Sequence, residues 1–412
     1  MKSSLPKVLH PLAGKPILQY SLELAQKLGS LRTYIVAGYQ SHLVEEFFTV
    51  NHRDLLKDCV FVKQKRLLGT ADALLTVQKY FKNYHGDVLV LSGDVPLLKK
   101  ESLSALVRKH QALQSACSVL TARVNDPQGY GRIIRDAGGK ILAIREEKDA
   151  QGFECQINEI NAGIYCFKSR ELFRFLKKIP MNKKKKEFYL TDIIELFLRK
   201  NLGVGARETQ EPGEALGINS RLDLAKAERV LREKILSDFM RKGVTIIDPQ
   251  TTFIAANVRI GKDTVIYPFT FIEKDVAIGR DCTIGPFARL RPGTKIGDKV
   301  QIGNFTEVSR TRIGRGSLMK HFSFLGDAVV GKEVNIGAGA ITANFDGSKK
   351  NKTHISDQAF IGSDSVLVAP VKIGKKAVVG AGSVVTKGKN VPGGSLVVGV
   401  PARVVARKNK RS

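Results

Sequence analysis

Residues 260–308 read IGKDTVIYPFTFIEKDVAIGRDCTIGPFARLRPGTKIGDKVQIGNFTEV, and an aliphatic side chain falls on every sixth position: Ile260, Ile266, Ile272, Ile278, Ile284, Leu290, Ile296, Ile302 and Val308. A helix repeats near 3.6 residues and a strand near 2, so neither produces this spacing. Three short strands per triangular turn do produce it. One aliphatic side chain per side then points inward and stacks on its counterpart one coil away. After one-residue slips the series resumes at Ile313, Met319 and Leu325, then at Val330 and Ile336, and finally at Ile361, Leu367, Ile373, Val379 and Val385. Residues from about Ile260 to Val391 therefore form a left-handed parallel β-helix of hexapeptide repeats. The period fails from Thr342 to Ser356, which predicts a loop ejected from the coil, the kind of segment that carries function.

Upstream the pattern changes. Apolar strand candidates at Thr33–Ala37, Cys59–Val62, Val88–Leu91, Cys117–Ala122 and Gly163–Phe167 alternate with amphipathic helix candidates near 16–28, 71–81, 101–113 and 169–178. This alternation predicts an α/β domain with a mostly parallel sheet. Ser220 to Lys242 reads as one long helix with Ser220 as its N-cap, giving three parts: 1–218, a linker helix 219–243, and the β-helix 244–412 with a basic tail.

At 412 residues two cores are expected, and no apolar run approaches the length of a membrane helix, so membrane insertion is not expected. The sequence at Met1 has no leader pattern, which leads to a cytoplasmic expectation. The five cysteines (Cys59, Cys117, Cys155, Cys166, Cys282) form no C-x-x-C pair, against a zinc site or a disulfide scaffold. A net charge of +28 raises nucleic acid as a partner, but the basic residues are scattered. Only 183–186 and 407–411 form runs, and aromatic residues do not alternate with them, so the charge is expected to serve anionic small-molecule substrates.

Several short motifs carry a resemblance over nearly the whole chain. In the first part they are Leu5-Pro6-Lys7-Val8-Leu9, Leu68-Gly69-Thr70-Ala71, Ser92-Gly93-Asp94-Val95-Pro96-Leu97, Gly129-Tyr130-Gly131-Arg132-Ile133, Glu159-Ile160-Asn161-Ala162-Gly163 and Gly217-Ile218-Asn219. In the β-helix they are 284–293, Gly303-Asn304-Phe305-Thr306-Glu307, His321, Leu325-Gly326-Asp327, Asn335-Ile336-Gly337-Ala338-Gly339, Asn344-Phe345-Asp346-Gly347 and Ile361-Gly362-Ser363. With these motifs the chain resembles the bifunctional enzymes that make UDP-N-acetylglucosamine. In that family a Rossmann-like sugar-1-phosphate uridylyltransferase is joined through a helix to a trimeric β-helix acetyltransferase.

The resemblance implies two sets of site residues. In the first part Asp94, which ends an apolar strand at the sheet edge where α/β folds bind ligands, would hold Mg2+ together with Asn219. Lys7 would meet the phosphates of UTP. Gln64, Gly69 and Thr70 would contact uracil, Ser92 and Gly93 would line the site, and Gly131, Glu146 and Asn161 would contact N-acetylglucosamine. In the second part His321, read here as a rung position, would be the general base for acetyl transfer from acetyl-CoA. Arg291, Ser309, Phe324, Asn335, Asn344 and Phe345 would meet the acceptor, and Ala338, Ser363 and Ala381 the cofactor. The active form would be a homotrimer.

Three departures accompany the resemblance. Family members carry an apolar strand and a glycine-rich loop ending Gly-x-Gly-Thr-Arg ahead of Leu-Pro-Lys, whereas this sequence opens after them. Either an upstream start restores both, which is the expectation here, or the uridylyltransferase is lost. Ser309 replaces the family's lysine, and Phe324 and Phe345 replace two tyrosines. Arg310 and Arg312 are the neighbouring cations, but alternation along a strand points each adjacent side chain to the other face. Two further readings remain: a divergent paralogue acting on another amino or nucleotide sugar, and a non-catalytic trimeric scaffold.

Overall fold

The computed structural model describes residues 1–183 and 186–405. Lys184, Lys185 and the basic tail 407–411 lie outside the described residues. The chain divides into two compact units, Met1–Glu228 and Arg229–Ser412.

In the first unit the strand Glu159–Lys168 organises the main sheet. It runs antiparallel to Asp87–Val90 and Cys117–Arg123, and Val204–Glu208 joins the latter in parallel. Asp87–Val90, Cys117–Arg123 and Val204–Glu208 thus all point one way, with Glu159–Lys168 reversed among them. A hairpin of Arg132–Arg135 and Ile141–Arg145 extends the sheet, and Thr33–Ala37 pairs in parallel with Cys59–Lys63. Both faces of the main sheet are covered. Ile160, Ala162, Ile164 and Cys166 pack with Leu103 and Leu106 on one side, while Tyr165 and Phe167 pack with Leu172 and Phe197 on the other. That is why these strands read as nearly continuous apolar runs.

Helix Arg221–Arg241 begins with a reciprocal cap. Ser220 Oγ accepts from the Asp223 amide at 3.1 Å, and the Asp223 carboxylate accepts from the Ser220 amide at 2.8 Å. In the second unit strands of two to four residues stack into three sheets, parallel except for the last pair, Leu396–Val398 with Arg403–Val405, forming a three-sided coil. Partners stand eighteen residues apart in most coils (Phe271 with Arg289), seventeen after the slips (Lys295 with Arg312), and twenty-five around the ejected loop (Ile341 with Val366). The inward aliphatics form one continuous core from Ile246 to Val397. The loop is shorter than its broken period predicts. Thr342 stays on a buried rung, where its hydroxyl accepts from the Gly326 amide at 2.8 Å, and Ile355 is also buried on a strand. Among the described residues no helix is long and apolar enough to cross a membrane.

Candidate active sites

The first unit gathers its sequence-predicted residues into two groups. Asp94 follows the strand Asp87–Val90, and its carbonyl accepts from the Ile218 amide at 2.9 Å, which ties it to the segment bearing Asn219. The Lys7 ammonium donates to the Asp94 carboxylate and, at 2.9 Å, to Asn219 Oδ1. Two hard oxygen donors from distant segments therefore converge on one positive charge. That donor set suits a magnesium ion, which takes few protein oxygens and fills its remaining positions with water and phosphate. Ser92 Oγ donates to the Gly163 carbonyl at 3.0 Å, and the Gly163 amide donates to Asn161 Oδ1 at 3.0 Å. The Asn161 amide donates in turn to the Gly131 carbonyl at 2.8 Å, and Asn161 Nδ2 to the Tyr165 hydroxyl at 2.6 Å. Gly93 follows Ser92 in the same turn.

Gln64 and the turn at Gly69–Thr70 form a second group. Gln64 Nε2 donates to the Gly69 carbonyl at 3.2 Å and to Asp72 at 2.7 Å, while Thr70 Oγ1 accepts from the Leu190 amide at 3.0 Å. Glu146 accepts from the Thr191 hydroxyl at 2.8 Å. Burial pushes the Glu146 carboxyl above its ordinary range, against the pull of the Thr191 bond. The sequence reading missed Asp72 and Thr191, which orient these side chains. The signal available was their place beside quoted or apolar motifs, which is weak.

Next to Thr191, burial together with Glu195 and Glu146 pushes Asp192 up to about 6 from 3.8. A raised carboxyl costs no stability below the unfolded value and becomes a full penalty above about pH 6. Asp192→Asn should therefore melt about 2–4 °C above the wild type at pH 8 and together with it at pH 4, read by thermal denaturation. Equal melting at both values would remove the penalty.

In the second unit one corner of the coil carries His321, Ala338, Ser363 and Ala381 at equivalent places in successive turns. The Asp364 amide donates to the Ala338 carbonyl at 2.7 Å and the Gly382 amide to the Ser363 carbonyl at 2.8 Å. His321 is exposed in the bend between Leu318–Met319 and Ser323–Gly326, so it is not a rung residue. The rungs there are Met319 and Leu325, both buried; reading the hexad through a one-residue slip misplaced the histidine. The bend is fixed by its backbone. The His321 carbonyl accepts from Ser323 Oγ at 2.8 Å, and a Cβ on Gly303 would stand 1.7 Å from the Lys320 carbonyl oxygen. Only glycine lets those two coils close under the histidine.

The acceptor set divides. Ser309 and Phe324 lie on the neighbouring sheet, where Ser309 pairs with Gly326 and Phe324 with Glu307, and Arg291 follows that sheet's strand Arg289–Leu290. Asn344 follows that sheet's next strand, and the exposed Phe345 opens the ejected loop. Asn335 sits on a different sheet, between Leu318 and Phe360. Arg291 pairs with Glu307 at 2.9 Å. The acceptor set thus lies on the two sheets that flank the His321 bend. Asp327, to which the sequence reading gave no role, accepts from both Arg310 and Asn344.

The nucleotidyl transferase family pattern matches residues 2–210, and the bacterial transferase hexapeptide pattern of six repeats matches 257–292, 275–310 and 352–387. The chain is 42% identical to the bifunctional protein GlmU of Geobacillus thermodenitrificans strain NG80-2, over 99% of this chain and 94% of that one. It is 44% identical to the bifunctional protein GlmU of Pelotomaculum thermopropionicum, over 90% of this chain and 87% of that one. With the protein of the same name from Pelobacter propionicus it shares 39%, over 97% and 92%. A crystal structure of UDP-glucose pyrophosphorylase complexed with UDP-glucose covers 56% of this chain and 91% of its own, at 19% identity and a TM-score of 0.46.

Proposed function

The chain belongs to the family of bifunctional GlmU proteins, and from that premise we propose that it makes UDP-N-acetylglucosamine in two steps, one in each unit. The second unit acetylates glucosamine 1-phosphate with acetyl-CoA, and the first transfers UMP from UTP to the resulting N-acetylglucosamine 1-phosphate. The observation that carries this reading is the grouping in space of residues scattered in sequence. Asp94 and Asn219 both accept from the Lys7 ammonium, and His321 shares a corner with Ala338, Ser363 and Ala381.

In the first unit Lys7 would turn its ammonium to the phosphates, as a point charge able to move between oxygens. Magnesium, held by Asp94 and Asn219, would offset the charge of triphosphate and sugar phosphate. Gln64, Gly69 and Thr70 would line the uracil, and Gly131, Glu146 and Asn161 the sugar. In the second unit His321 would take the proton that the acceptor amine loses on attacking the thioester carbonyl. Ala338, Ser363 and Ala381 would lie along acetyl-CoA. The test is conversion of glucosamine 1-phosphate, acetyl-CoA and UTP to UDP-N-acetylglucosamine by the purified full chain, followed by chromatography. No product from either half-reaction would sink the proposal.

We take the active form to be a homotrimer in which a neighbouring subunit completes the acetyl-transfer site. Beside the histidine corner, Phe269, Phe287, Phe305 and Phe322 are exposed in successive coils, with ring centroids 4.8 Å apart for the first pair and 5.0 Å for the second. Such a stripe suits burial against another chain. Light scattering of the full chain should give a trimer, and Phe287→Asp should shift it toward smaller species with lost acetyl transfer. A fully active wild-type monomer at assay concentration would overturn the trimer.

A further inference from the structure

The acceptor face of the second unit poses a charge problem. Where the sugar phosphate would need a cation, Ser309 offers only a hydroxyl, and that residue is fully buried. The geometry around it supplies one. Arg310 follows the strand Thr306–Ser309 and has a left-handed backbone, with φ +49. Because it has left the strand, the alternation that would turn its side chain to the opposite face no longer applies. Its guanidinium folds back along the strand, and Arg310 Nη1 donates to Ser309 Oγ at 2.8 Å.

The group is also held from the far side. Arg310 Nε and Nη2 donate to the two carboxylate oxygens of Asp327 at 2.6 and 2.8 Å, a paired contact whose partner also accepts from Asn344 Nδ2. The Arg310 bond and, behind it, that from Asn344 hold the Asp327 carboxyl below its ordinary range, so it stays ionised across the neutral region. Lys350 adds positive charge nearby, and Asp327 does not leave the neighbourhood anionic on its own. A guanidinium carries five N–H groups. Three of Arg310's are engaged, which leaves one on each terminal nitrogen, and 38% of the side chain is open to solvent against 14% for Asp327.

The same neighbourhood contains the residues expected to meet the acceptor. A Cβ built on Gly326, the strand partner of Ser309, would stand 2.6 Å from Asn344 Nδ2 and 2.7 Å from Phe324 Cζ. Ser309, Phe324, Asn344, Asp327 and Arg310 thus enclose one small surface. Phe324 contributes a ring without a hydroxyl, and Arg291, the other guanidinium expected to meet the acceptor, is paired with Glu307, so the cation beside Ser309 is Arg310.

We propose that Arg310 binds the phosphate of the acceptor sugar, with Asp327 as the positioning residue that aims both Arg310 and Asn344. The proposal rests on the acetyltransferase reading and adds to it the residue that selects a phosphorylated amine. Free glucosamine, which lacks the phosphate, gains nothing from Arg310, whereas glucosamine 1-phosphate gains a charge-assisted contact.

The experiment follows CoA release by the full chain with glucosamine 1-phosphate and with glucosamine as acceptors. Transfer to glucosamine 1-phosphate by the wild type tests the underlying reading, and its absence sinks that reading before Arg310 is examined. Given transfer, Arg310→Gln should raise KM for glucosamine 1-phosphate about 10- to 100-fold, the usual worth of a bond to a charged group, with kcat within about twofold. The preference for the phosphorylated acceptor should fall by the same factor, and Ser309→Lys added to Arg310→Gln should restore most of it. Unchanged KM and unchanged preference in a folded Arg310→Gln protein would overturn the proposal and leave the acetyltransferase intact. Should that variant fail to melt cooperatively, Arg310→Lys keeps the charge but cannot reach Asp327 and Ser309 together. It should raise KM several-fold, and an unchanged KM there also overturns the proposal.

Discussion

Asp94→Ala is expected to lower uridylyl transfer by about 10³-fold or more while acetyl transfer stays within about twofold of the wild type. The side chain sits past the end of a core strand, and its main chain is tied independently through the bond from Ile218. Truncation therefore removes a carboxylate and little else from the fold. What remains is the Asn219 amide oxygen and the Lys7 ammonium, now without its anionic partner. One neutral oxygen is a poor holder for a divalent cation facing a triphosphate. The same logic predicts that EDTA stops uridylyl transfer and spares acetyl transfer, since the chemistry proposed for the second unit uses an imidazole. Near-normal uridylyl transfer by a folded Asp94→Ala protein would move the cation site elsewhere. Loss of both activities together would point to misfolding, which the melting curve would report.

The β-helix was legible in the sequence because its period is enforced by stacking: a polar residue on a rung meets aliphatic neighbours and stays buried only where it finds a hydrogen bond. Thr342 is the case where such a bond exists, to the backbone of Gly326, and its polarity ends the aliphatic series one rung before the loop begins. The long core strands of the first unit were legible for a similar reason, being apolar on both faces. Arg132–Arg135 and Val204–Glu208 were not read as strands, because each is short and charged residues interrupt its apolar pattern. The reversed strand begins at Glu159, whose buried carboxylate pairs with Arg135, so its polar start masked its length.

The placement of candidate site residues was legible where a motif is continuous, as in Ser92-Gly93-Asp94, and obscure where geometry depends on a corner. His321 and Arg310 were both misjudged by extending a strand rule past the strand's end. In each case the chain had turned: His321 lies in a bend, and Arg310 has positive φ. At such corners a side chain's direction follows from the local φ and ψ and from what closes beneath it, which residue spacing does not encode. Asp327 has positive φ too, and its pairing with Arg310 spans adjacent coils, a relation visible only once the register is known.

His321→Ala should reduce acetyl transfer about 10²- to 10⁴-fold, the range a positioned general base supplies. The bend that presents the imidazole is held by backbone contacts, namely the Ser323 hydroxyl on the His321 carbonyl and the close passage of Gly303 beneath Lys320. The side chain is exposed and contributes nothing to the rung core formed by Met319 and Leu325. Truncation should therefore leave melting temperature and trimer content near the wild type. Acetyl-CoA binding should also change little, because the proposed cofactor residues Ala338, Ser363 and Ala381 lie in later coils of the same corner. A purely structural histidine predicts the opposite: lowered stability, with activity falling only as folded protein is lost. Initial rate, light scattering and melting temperature measured on one preparation separate the two. Wild-type turnover by a folded His321→Ala trimer would remove the imidazole from the reaction and require another base at this corner.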